Sequence, residues 1–338
     1  MTIKDLARET GYSVGTVSRV LNGHPNVSEK ARKTVMAVVQ AQGFALNANA
    51  KNLKQSRGTA ILVVVKGRGN ELFSAMVEQY QTIFAQTPYP LYIDYVDESD
   101  NEVRQASALC REKKPLGVLF LGGSHQNFRK EFSAIQVPSV LVTVGARELG
   151  FANLSSVTAD DCKGAAAAVE HLLQAGHRDL LVLGGDLRQS NSSRDRLAGC
   201  REAFAARNLT FDENCYHTCR FSYRSGYETM KQALESGAAC TAVFAMADVI
   251  AIGAIRAVRE RGLRVPEDIS VIGYDGLLVG DFLQPRLSTV AQPIRAMARR
   301  SAQILLERIE RGGDACHETV PFSLECRESV LVRQEKSE

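Results

Sequence analysis

Short apolar runs alternate with longer amphipathic runs through residues 58–338, and this alternation restricts the fold more than any other feature. The apolar runs have the length of strands, and the runs between them have helical periodicity. Such alternation predicts parallel sheets with helices on both faces. The strand candidates are Ala60–Val65, Leu91–Tyr95, Gly117–Leu121, Val140–Val144, Leu180–Leu183, Ala242–Met246 and Ile269–Gly273. The main helix candidates are Glu71–Gln86, Lys163–Ala175, Asp195–Arg207, Ser225–Glu235 and Asp248–Arg261.

We call residues 58–338 the body of the chain. Its length of about 280 residues predicts two doubly wound lobes, because one open sheet with its helices rarely contains that many residues. We expect the chain to pass between the lobes near Ser155–Thr158 and again near Pro285–Thr289. This predicts an N-lobe of residues 58–157 and 289–321, and a C-lobe of residues 158–288 and 322–332.

Composition excludes several classes of protein. Of 338 residues, 45% are hydrophobic and 23% are charged, as in a soluble globular protein. The longest mostly apolar stretch, Ala242–Ile255, contains Asp248 and is shorter than the roughly 20 residues of a membrane-spanning helix. The N-terminus has no apolar secretory core, and the eight cysteines form no CxxC pair. We therefore expect a cytoplasmic protein with reduced thiols and no membrane segment.

Positive charge is concentrated in residues 1–57, which form a basic head. Nine Lys and Arg residues against three acids give the head a net charge of +6, whereas the remainder has −3. This asymmetry indicates a polyanionic partner at one end of the chain. On charge alone, an ordinary solvated basic surface is an equally good interpretation.

Three short helices are predicted in the head. Thr2, Ser13 and Ser28 each precede an apolar-periodic run, as helix N-caps do. Gly11 separates the first two runs, and this spacing is typical of a helix-turn-helix. Polar side chains on the second helix suit phosphate oxygens and a guanine edge, and they are Thr16, Ser18, Arg19 and Asn22. A polar-faced helix in any small bundle has the same spacing.

Three strings in the head, Thr2–Ala7, Gly11–Asn22 and Asn26–Glu29, closely resemble the headpiece of the LacI family of bacterial transcription regulators. The resemblance implies a DNA-binding domain over residues 1–45 whose second helix enters the major groove. It places Val14, Gly15 and Arg19 at base edges. It places the polar residues near phosphates, and these are Ser13, Thr16, Ser18, Asn22 and Asn26.

Residues 46–57 resemble the hinge helix and linker of the same family. The resemblance implies a helix that orders on operator DNA, with Ala50 and Leu53 as contact residues. Leu53 matches a leucine that wedges into the minor groove, a known way to kink DNA. Leu46 stands where the family usually has proline, which leaves the entry to the hinge less rigid. An ordinary linker residue is the alternative for Leu53.

The body resembles the family's core, so the resemblance covers the whole chain. It is carried by Glu170–His177, Arg194–Gly199, Ala242–Asp248 and Gly262–Asp275. It implies a core like a periplasmic sugar-binding protein, with two lobes joined by three strands. Small ligands bind at the carboxyl ends of strands in such sheets.

Effector contacts are predicted at three main positions, and the resemblance implies that all three match ligand positions of the family. Asp275 ends a strand and can accept hydrogen bonds from hydroxyls, Arg196 offers a rigid fork of donors, and Phe221 can stack on a sugar or base. An Asp capping a turn, a surface ion pair and a core Phe are the alternatives. The further candidates, which could equally cap a helix or pack in the core, are Asp248, Phe73, Asp161 and Ile294. Ala247 and Gly276 replace Asn and Asp of many family members, which removes polar groups from the expected sugar site.

Other chemistries find little support. The loop Gly67–Leu72 imitates a dinucleotide fingerprint but lacks its third glycine. Cys215, His217 and Cys219 lie on alternate positions of one strand, a poor tetrahedral set for zinc. The sequence contains no evident nucleophile–base constellation. We therefore expect neither an enzyme nor a bound cofactor or metal.

The expected function is a ligand-responsive DNA-binding transcriptional regulator, in the first place a repressor that binds a pseudo-palindromic operator as a homodimer. A sugar or sugar derivative is the expected effector, with purines and sugar phosphates next. A cytosolic solute sensor of the same fold without specific DNA binding is the alternative, followed by an enzyme built on the same core.

Overall fold

The structure is a computed structural model of the chain, and it describes residues 3–21, 27–41 and 58–333. The chain divides at Arg57–Gly58 into two compact units, which are described separately. None of the described helices is both long and apolar enough to cross a membrane.

The head is a bundle of three helices, α1 (Ile3–Thr10), α2 (Val14–Leu21) and α3 (Glu29–Ala41). Their apolar faces meet in a small core that contains Leu6, Ala7, Val17, Val20 and Val35. Gly11 joins α1 to α2 with φ +70°, a conformation that costs glycine little. The Ser13 hydroxyl then caps α2 by accepting a hydrogen bond from the Thr16 amide at 3.1 Å. These elements confirm the predicted helix-turn-helix.

The first lobe of the body contains a six-stranded, all-parallel sheet in the order β11-β5-β4-β3-β1-β2. Its strands are β1 (Ile61–Lys66), β2 (Leu91–Val96), β3 (Gly117–Leu121), β4 (Ser139–Val142), β5 (Leu154–Ala159) and β11 (His317–Val320). Its helices are α4 (Glu71–Phe84), α5 (Glu102–Lys113), α6 (His125–Glu131) and α11 (Ile294–Arg311). Short 3₁₀ turns follow α6 and β4.

Strand β1 shows why this sheet is covered on both faces. Val63 and Val65 pack into the core that contains residues of α4 and α11. Leu62 and Val64 point the other way, into the core that contains residues of α5 and α6. Since alternate residues of a strand face opposite sides, the continuous apolar run of β1 places the sheet between two helical layers.

The second lobe repeats this design, with the order β12-β10-β9-β8-β6-β7, in which β12 alone runs antiparallel to its neighbour. Its strands are β6 (Leu180–Gly184), β7 (Tyr216–Thr218), β8 (Ala242–Ala245), β9 (Ser270–Asp275), β10 (Ser288–Ala291) and β12 (Ser323–Glu325). Its helices are α7 (Asp161–Gln174), α8 (Asn191–Ala206), α9 (Tyr223–Glu235) and α10 (Asp248–Glu260). Short 3₁₀ turns precede β7 and follow β9.

The chain crosses between the lobes at three places: after β5, after β10, and between β11 and β12. The sequence division at 288/289 cuts through β10, which pairs with β9 in the second sheet, so this crossing lies at residues 292–293. The division at 157/158 similarly cuts β5, which pairs with β11 as far as Ala159. Strand pairing therefore moves both divisions a few residues toward the C-terminus.

The predicted doubly wound body is confirmed, several element boundaries differ from the prediction by a few residues, and the structure explains two of these differences. Strand β4 ends at Val142 because Thr143 adopts φ +73°, outside the β region. Helix α8 begins at Asn191, before the expected Asp195, because the Ser190 hydroxyl caps it by accepting from the Ser193 amide at 3.1 Å.

Candidate DNA-binding helix and ligand cleft

Helix α2 has a buried apolar face and an exposed face. Val17 and Val20 are buried, whereas Val14 and Arg19 are exposed. Gly15 adds no bulk to this face, and a Cβ there would meet only the Ser13 hydroxyl at 3.8 Å. The structure therefore presents the three residues predicted at base edges on the outside of the helix.

The other residues predicted to contact DNA are only partly described. The Ser13 and Thr16 hydroxyls lie 2.9 Å apart at the start of α2, and Ser18 lies within the helix. Asn22, Asn26, Ala50 and Leu53 fall outside the described residues, as does Leu46. The predicted hinge helix therefore remains a prediction.

A cavity of about 400 Å³ lies between the two lobes of the body, within the usual size range of small-molecule sites. The first lobe contributes residues from the carboxyl ends of its strands, such as Gly67, Gly122 and Thr143. The second lobe contributes residues from its own strand ends, such as Asp186 and Asp275. This is the position at which open parallel sheets bind ligands.

Arg196 forms part of the cavity wall and is held from behind by Asp161. Its guanidinium Nε donates to Asp161 Oδ1 at 2.9 Å, and Nη1 donates to the Met246 carbonyl. The same group stacks 3.7 Å from the centre of the Tyr274 ring. Asp161 does not line the cavity, so the structure makes it the partner that orients Arg196 rather than a direct contact. Arg196 is fixed before any ligand arrives.

Asp275 lines the cavity at the end of β9 and is almost fully buried. It adopts φ +120°, which is unusual for a residue with a side chain. Gln292 donates a hydrogen bond from Nε2 to its carboxylate at 2.8 Å. Burial raises the pKa of Asp275 to about 7, although the Arg196 charge and the Gln292 hydrogen bond act in the opposite direction. Asp275 therefore provides the cavity with a carboxyl group that can either accept or donate a hydrogen bond near neutral pH.

The structure gives Asp248 neither of its two predicted roles. It does not line the cavity, and Ala247 rather than Asp248 occupies the N-cap position of α10. Its carboxylate instead accepts from the Thr289 hydroxyl at 2.6 Å and from the Leu277 amide at 2.7 Å. Burial, assisted by the charge of Asp275, raises its pKa to about 8. Asp248 thus anchors the loop that follows Asp275.

Two aromatic side chains complete the cavity. Phe73 from α4 and Phe221 from the segment after β7 both line it. A Cβ at Gly122 would lie 2.9 Å from the Phe73 ring, and a Cβ at Gly185 would lie 2.7 Å from the Phe221 ring. Glycine at these positions lets both rings sit close to the strand ends. Ile294, by contrast, packs against the apolar core and does not line the cavity.

Ala247 and Gly276, which replace polar residues of the resembled family, are a buried position and a sterically restricted one. Ala247 is buried and caps α10 without a side-chain hydrogen bond. Gly276 adopts φ +74°, and a Cβ there would lie 2.5 Å from the Ala291 Cβ. An acidic side chain at position 276 therefore requires the end of β10 to shift.

Several cavity residues were missed by sequence reasoning. Ser190 and Asn191 line the cavity at the start of α8, which was predicted to begin at Asp195. The N-cap preference for serine is the signal in the sequence that points to Ser190 as the start of this helix. Thr143 lines the cavity at a point where the backbone adopts a positive φ, and Arg220 lines it where it contacts the other lobe. Neither leaves a local pattern in the sequence.

The loop after β1, including Gly67 and Asn70, lines the ligand cavity. Within residues 3–21, 27–41 and 58–333, no three His, Cys, Asp or Glu side chains are grouped to hold a metal ion. The cysteines are all free thiols.

Both units of the chain match known families. Residues 2–47 match the model of bacterial regulatory proteins of the lacI family, and residues 169–330 match the periplasmic binding protein-like domain. The HTH-type transcriptional regulator MalR of Clostridium butyricum is 33% identical, over 98% of this chain and 99% of its own length.

Solved structures agree along nearly the whole chain. The lac repressor dimer bound to operator and the anti-inducer ONPF has a TM-score of 0.78 and 28% identity, over 98% of this chain and 99% of that one. The transcriptional regulator CelR in complex with cellobiose has a TM-score of 0.69 and 27% identity, over 97% and 99%. The chain therefore belongs to the LacI family of bacterial regulatory proteins and is a DNA-binding transcriptional regulator with a periplasmic-binding-protein-like core.

Proposed function

We propose that the protein is a cytoplasmic repressor whose affinity for a pseudo-palindromic operator is set by a sugar or sugar derivative in the cavity between the lobes. The observation that carries the proposal is the pairing of Arg196 and Asp275 with two aromatic rings in one cavity. A guanidinium and a carboxyl group suit the hydroxyls of a sugar, and rings suit its apolar faces. CelR with bound cellobiose provides the analogy.

The DNA-binding part of the proposal rests on helix α2. Arg19 is exposed, and an arginine can donate two hydrogen bonds to a guanine edge in the major groove. Ser13 and Thr16 place hydroxyls at the helix start, where phosphate contacts can fix its position. Ala50 and Leu53 complete the proposed interface from the hinge.

A second copy of the chain is the proposed partner of an exposed apolar turn. Leu278 and Phe282 are 74% and 80% exposed, and both lie on the 3₁₀ turn that follows β9. Large apolar side chains left this open mark an interaction surface. A twofold dimer would bring two heads to the two halves of an operator, as in the lac repressor dimer bound to operator.

A thermal-shift panel of sugars, sugar phosphates and nucleobases on the full chain tests the effector class. A ligand at 100 times its Kd stabilises a one-site protein by about 2.7 kcal/mol, which raises the Tm measurably. We expect a sugar to do so, and Asp275→Ala to abolish the shift. Stabilisation by nucleobases alone would replace the sugar with a purine-type effector.

A further inference from the structure

Contacts between the lobes join the ends of β2 and β7 beside the cavity. Arg220, which follows β7 of the second lobe, donates from Nη2 to both carboxylate oxygens of Asp97 at 2.8 and 2.7 Å. Asp97 follows β2 of the first lobe. Arg220 Nε also lies 3.6 Å from Glu98 Oε2, and the Phe221 amide donates to that same oxygen at 3.4 Å. One arginine is therefore held by two carboxylates of the opposite lobe.

This bridge lies at the sheet edges farthest from the crossings, so its atoms move farther than those near the crossings when the lobes open. The crossings leave from β5, β10 and β11, which lie at or next to one edge of each sheet, whereas β2 and β7 are the strands at the opposite edges. Four strand spacings of about 4.8 Å put the bridge roughly 19 Å from β5. Opening the lobes by about 10° would move the bridge by about 3 Å at that distance, enough to break its hydrogen bonds. The bridge therefore senses lobe opening earlier than any contact near the crossings.

Arg220 is also tied to the aromatic wall. It adjoins Phe221 in the chain, and its backbone amide donates to the Ser225 hydroxyl at 2.9 Å. Ser222 in turn donates its amide to the Arg220 carbonyl at 2.8 Å. These two hydrogen bonds tie the Arg220 backbone to the segment that carries the Phe221 ring.

We propose that Arg220 is a positioning residue: through Asp97 and Glu98 it holds the lobes closed at the edge farthest from the crossings and keeps Phe221 against the bound ligand. The ligand role of Phe221 rests on the proposed function, whereas the closure itself does not. The contact has the exposure of a surface ion pair, with the Arg220 side chain 60% exposed. Such a pair typically changes an equilibrium by a factor of about two to five, which suits a closure that must reopen.

The test uses a single-tryptophan reporter, because the sequence contains no Trp. Phe221→Trp in the full chain places the only indole at the proposed closure, and acrylamide quenching measures its exposure without any effector or DNA. In this background Arg220→Gln removes the bridge. Arg224→Gln is the matched control, since Arg224 is an exposed neighbour for which the described part of the chain shows no ion pair.

We expect Arg220→Gln to red-shift the indole emission and to raise the quenching constant by up to the two- to fivefold typical of a surface ion pair, with Arg224→Gln unchanged. Raising NaCl from about 0.05 M to about 0.5 M, where the screening length falls to about 4 Å, should act in the same way on the reporter protein and add little to Arg220→Gln. Asp97→Asn should reproduce the effect from the other lobe. The charge-reversed pair Arg220→Glu with Asp97→Arg should lower the quenching constant part of the way back to that of the reporter protein, since the unchanged Glu98 still faces position 220.

Equal quenching in Arg220→Gln and Arg224→Gln overturns the proposal. So does an indole as accessible as free tryptophan in the reporter protein, because Phe221 would then not be held. If circular dichroism shows that Arg220→Gln is unfolded, the salt titration of the reporter protein and the Asp97→Asn variant test whether the bridge holds the lobes closed. Loss of DNA or sugar binding leaves this result untouched, so failure of the proposed function and failure of the closure remain distinguishable.

Discussion

Asp275 and Gln292 are joined by two hydrogen bonds. The Gln292 side chain donates from Nε2 to the Asp275 carboxylate at 2.8 Å, and the Gln292 backbone amide donates to the Asp275 backbone carbonyl at 3.0 Å. The first residue lines the ligand cavity and the second lies in the crossing between the lobes. A ligand that engages Asp275 therefore acts directly on a segment that must adjust when the lobes move. This contact gives a physical route from effector to lobe arrangement.

Arg19→Ala should remove operator preference. A paired Arg–guanine contact contributes about 1–3 kcal/mol of base discrimination, so the ratio of selected to random DNA affinity should fall about 5- to 150-fold. Anisotropy titrations on a duplex selected from a random pool measure it. Arg8→Ala is the control, because it removes the same charge from an exposed site on α1. If Arg19→Ala keeps the wild-type ratio, Arg19 does not read bases.

Because of Asp248, the free energy of unfolding should fall as pH rises from about 4 to about 8. Its folded pKa of about 8 lies above its ordinary value of 3.8, so in this window the folded state keeps a proton that the unfolded state has lost. Stability from this group is therefore greatest below about pH 4 and declines by up to about 1.4 kcal/mol per pH unit. Asp275, with its pKa raised to about 7, acts in the same direction up to neutral pH.

Asp248→Asn should flatten this dependence while preserving the loop, because the amide can accept from the Leu277 amide and donate to the Thr289 hydroxyl. Urea unfolding across the pH window measures the free energy of unfolding. The exposed Asp314→Asn serves as the control. Parallel pH profiles for Asp248→Asn and wild type would contradict the assignment of a buried, protonated carboxyl group.

Gly276→Ala should destabilise the protein more than Gly262→Ala. Both glycines have φ near +75°, so alanine suffers similar backbone strain at each. A Cβ at position 262 meets nothing within 4 Å, whereas at position 276 it meets the Ala291 Cβ at 2.5 Å. The difference in the free energy of unfolding should be about 1–3 kcal/mol, the usual cost of overpacking. Equal losses would show that the end of β10 at Ala291 moves aside without cost.

Phe282→Asp should dissociate the dimer. The ring is 80% exposed in the single chain, so the substitution spares the fold and charges only the proposed contact. Sedimentation velocity measures the shift from dimer to monomer. Val332→Asp, at a second exposed apolar residue, is the control. A Phe282→Asp protein that sediments as wild type would assign the apolar turn to another partner.

The fold could be predicted from the sequence because the patterns that indicate it involve residues close together in the chain. Strand–helix alternation predicted both lobes, and the N-cap serines predicted the head, since each depends on residues close in sequence. Within the cavity, Arg196, Asp275, Phe73 and Phe221 were found through the family resemblance. Asp248 and Ile294 were placed in the same site but pack behind it, because residues on neighbouring strand ends can face either the cavity or the core.

Contacts between lobes escaped the sequence entirely. Arg220 and Asp97 are 123 positions apart, and neither stands in a distinctive string. Their encounter depends on how two separately folded sheets close on each other, which periodicity does not encode. The same holds for the Gln292 contact to Asp275, since Gln292 follows a strand whose membership was assigned to the other lobe.

The central claim is that a ligand in the cavity controls DNA binding, and one anisotropy experiment tests it directly. The selected duplex is titrated with the full chain, with and without the sugar that raises the Tm, for wild type and Asp275→Ala. Coupling of about 1–3 kcal/mol predicts a 5- to 150-fold change in operator Kd for wild type and none for Asp275→Ala. A sugar that binds the cavity yet leaves the wild-type Kd unchanged would contradict the account.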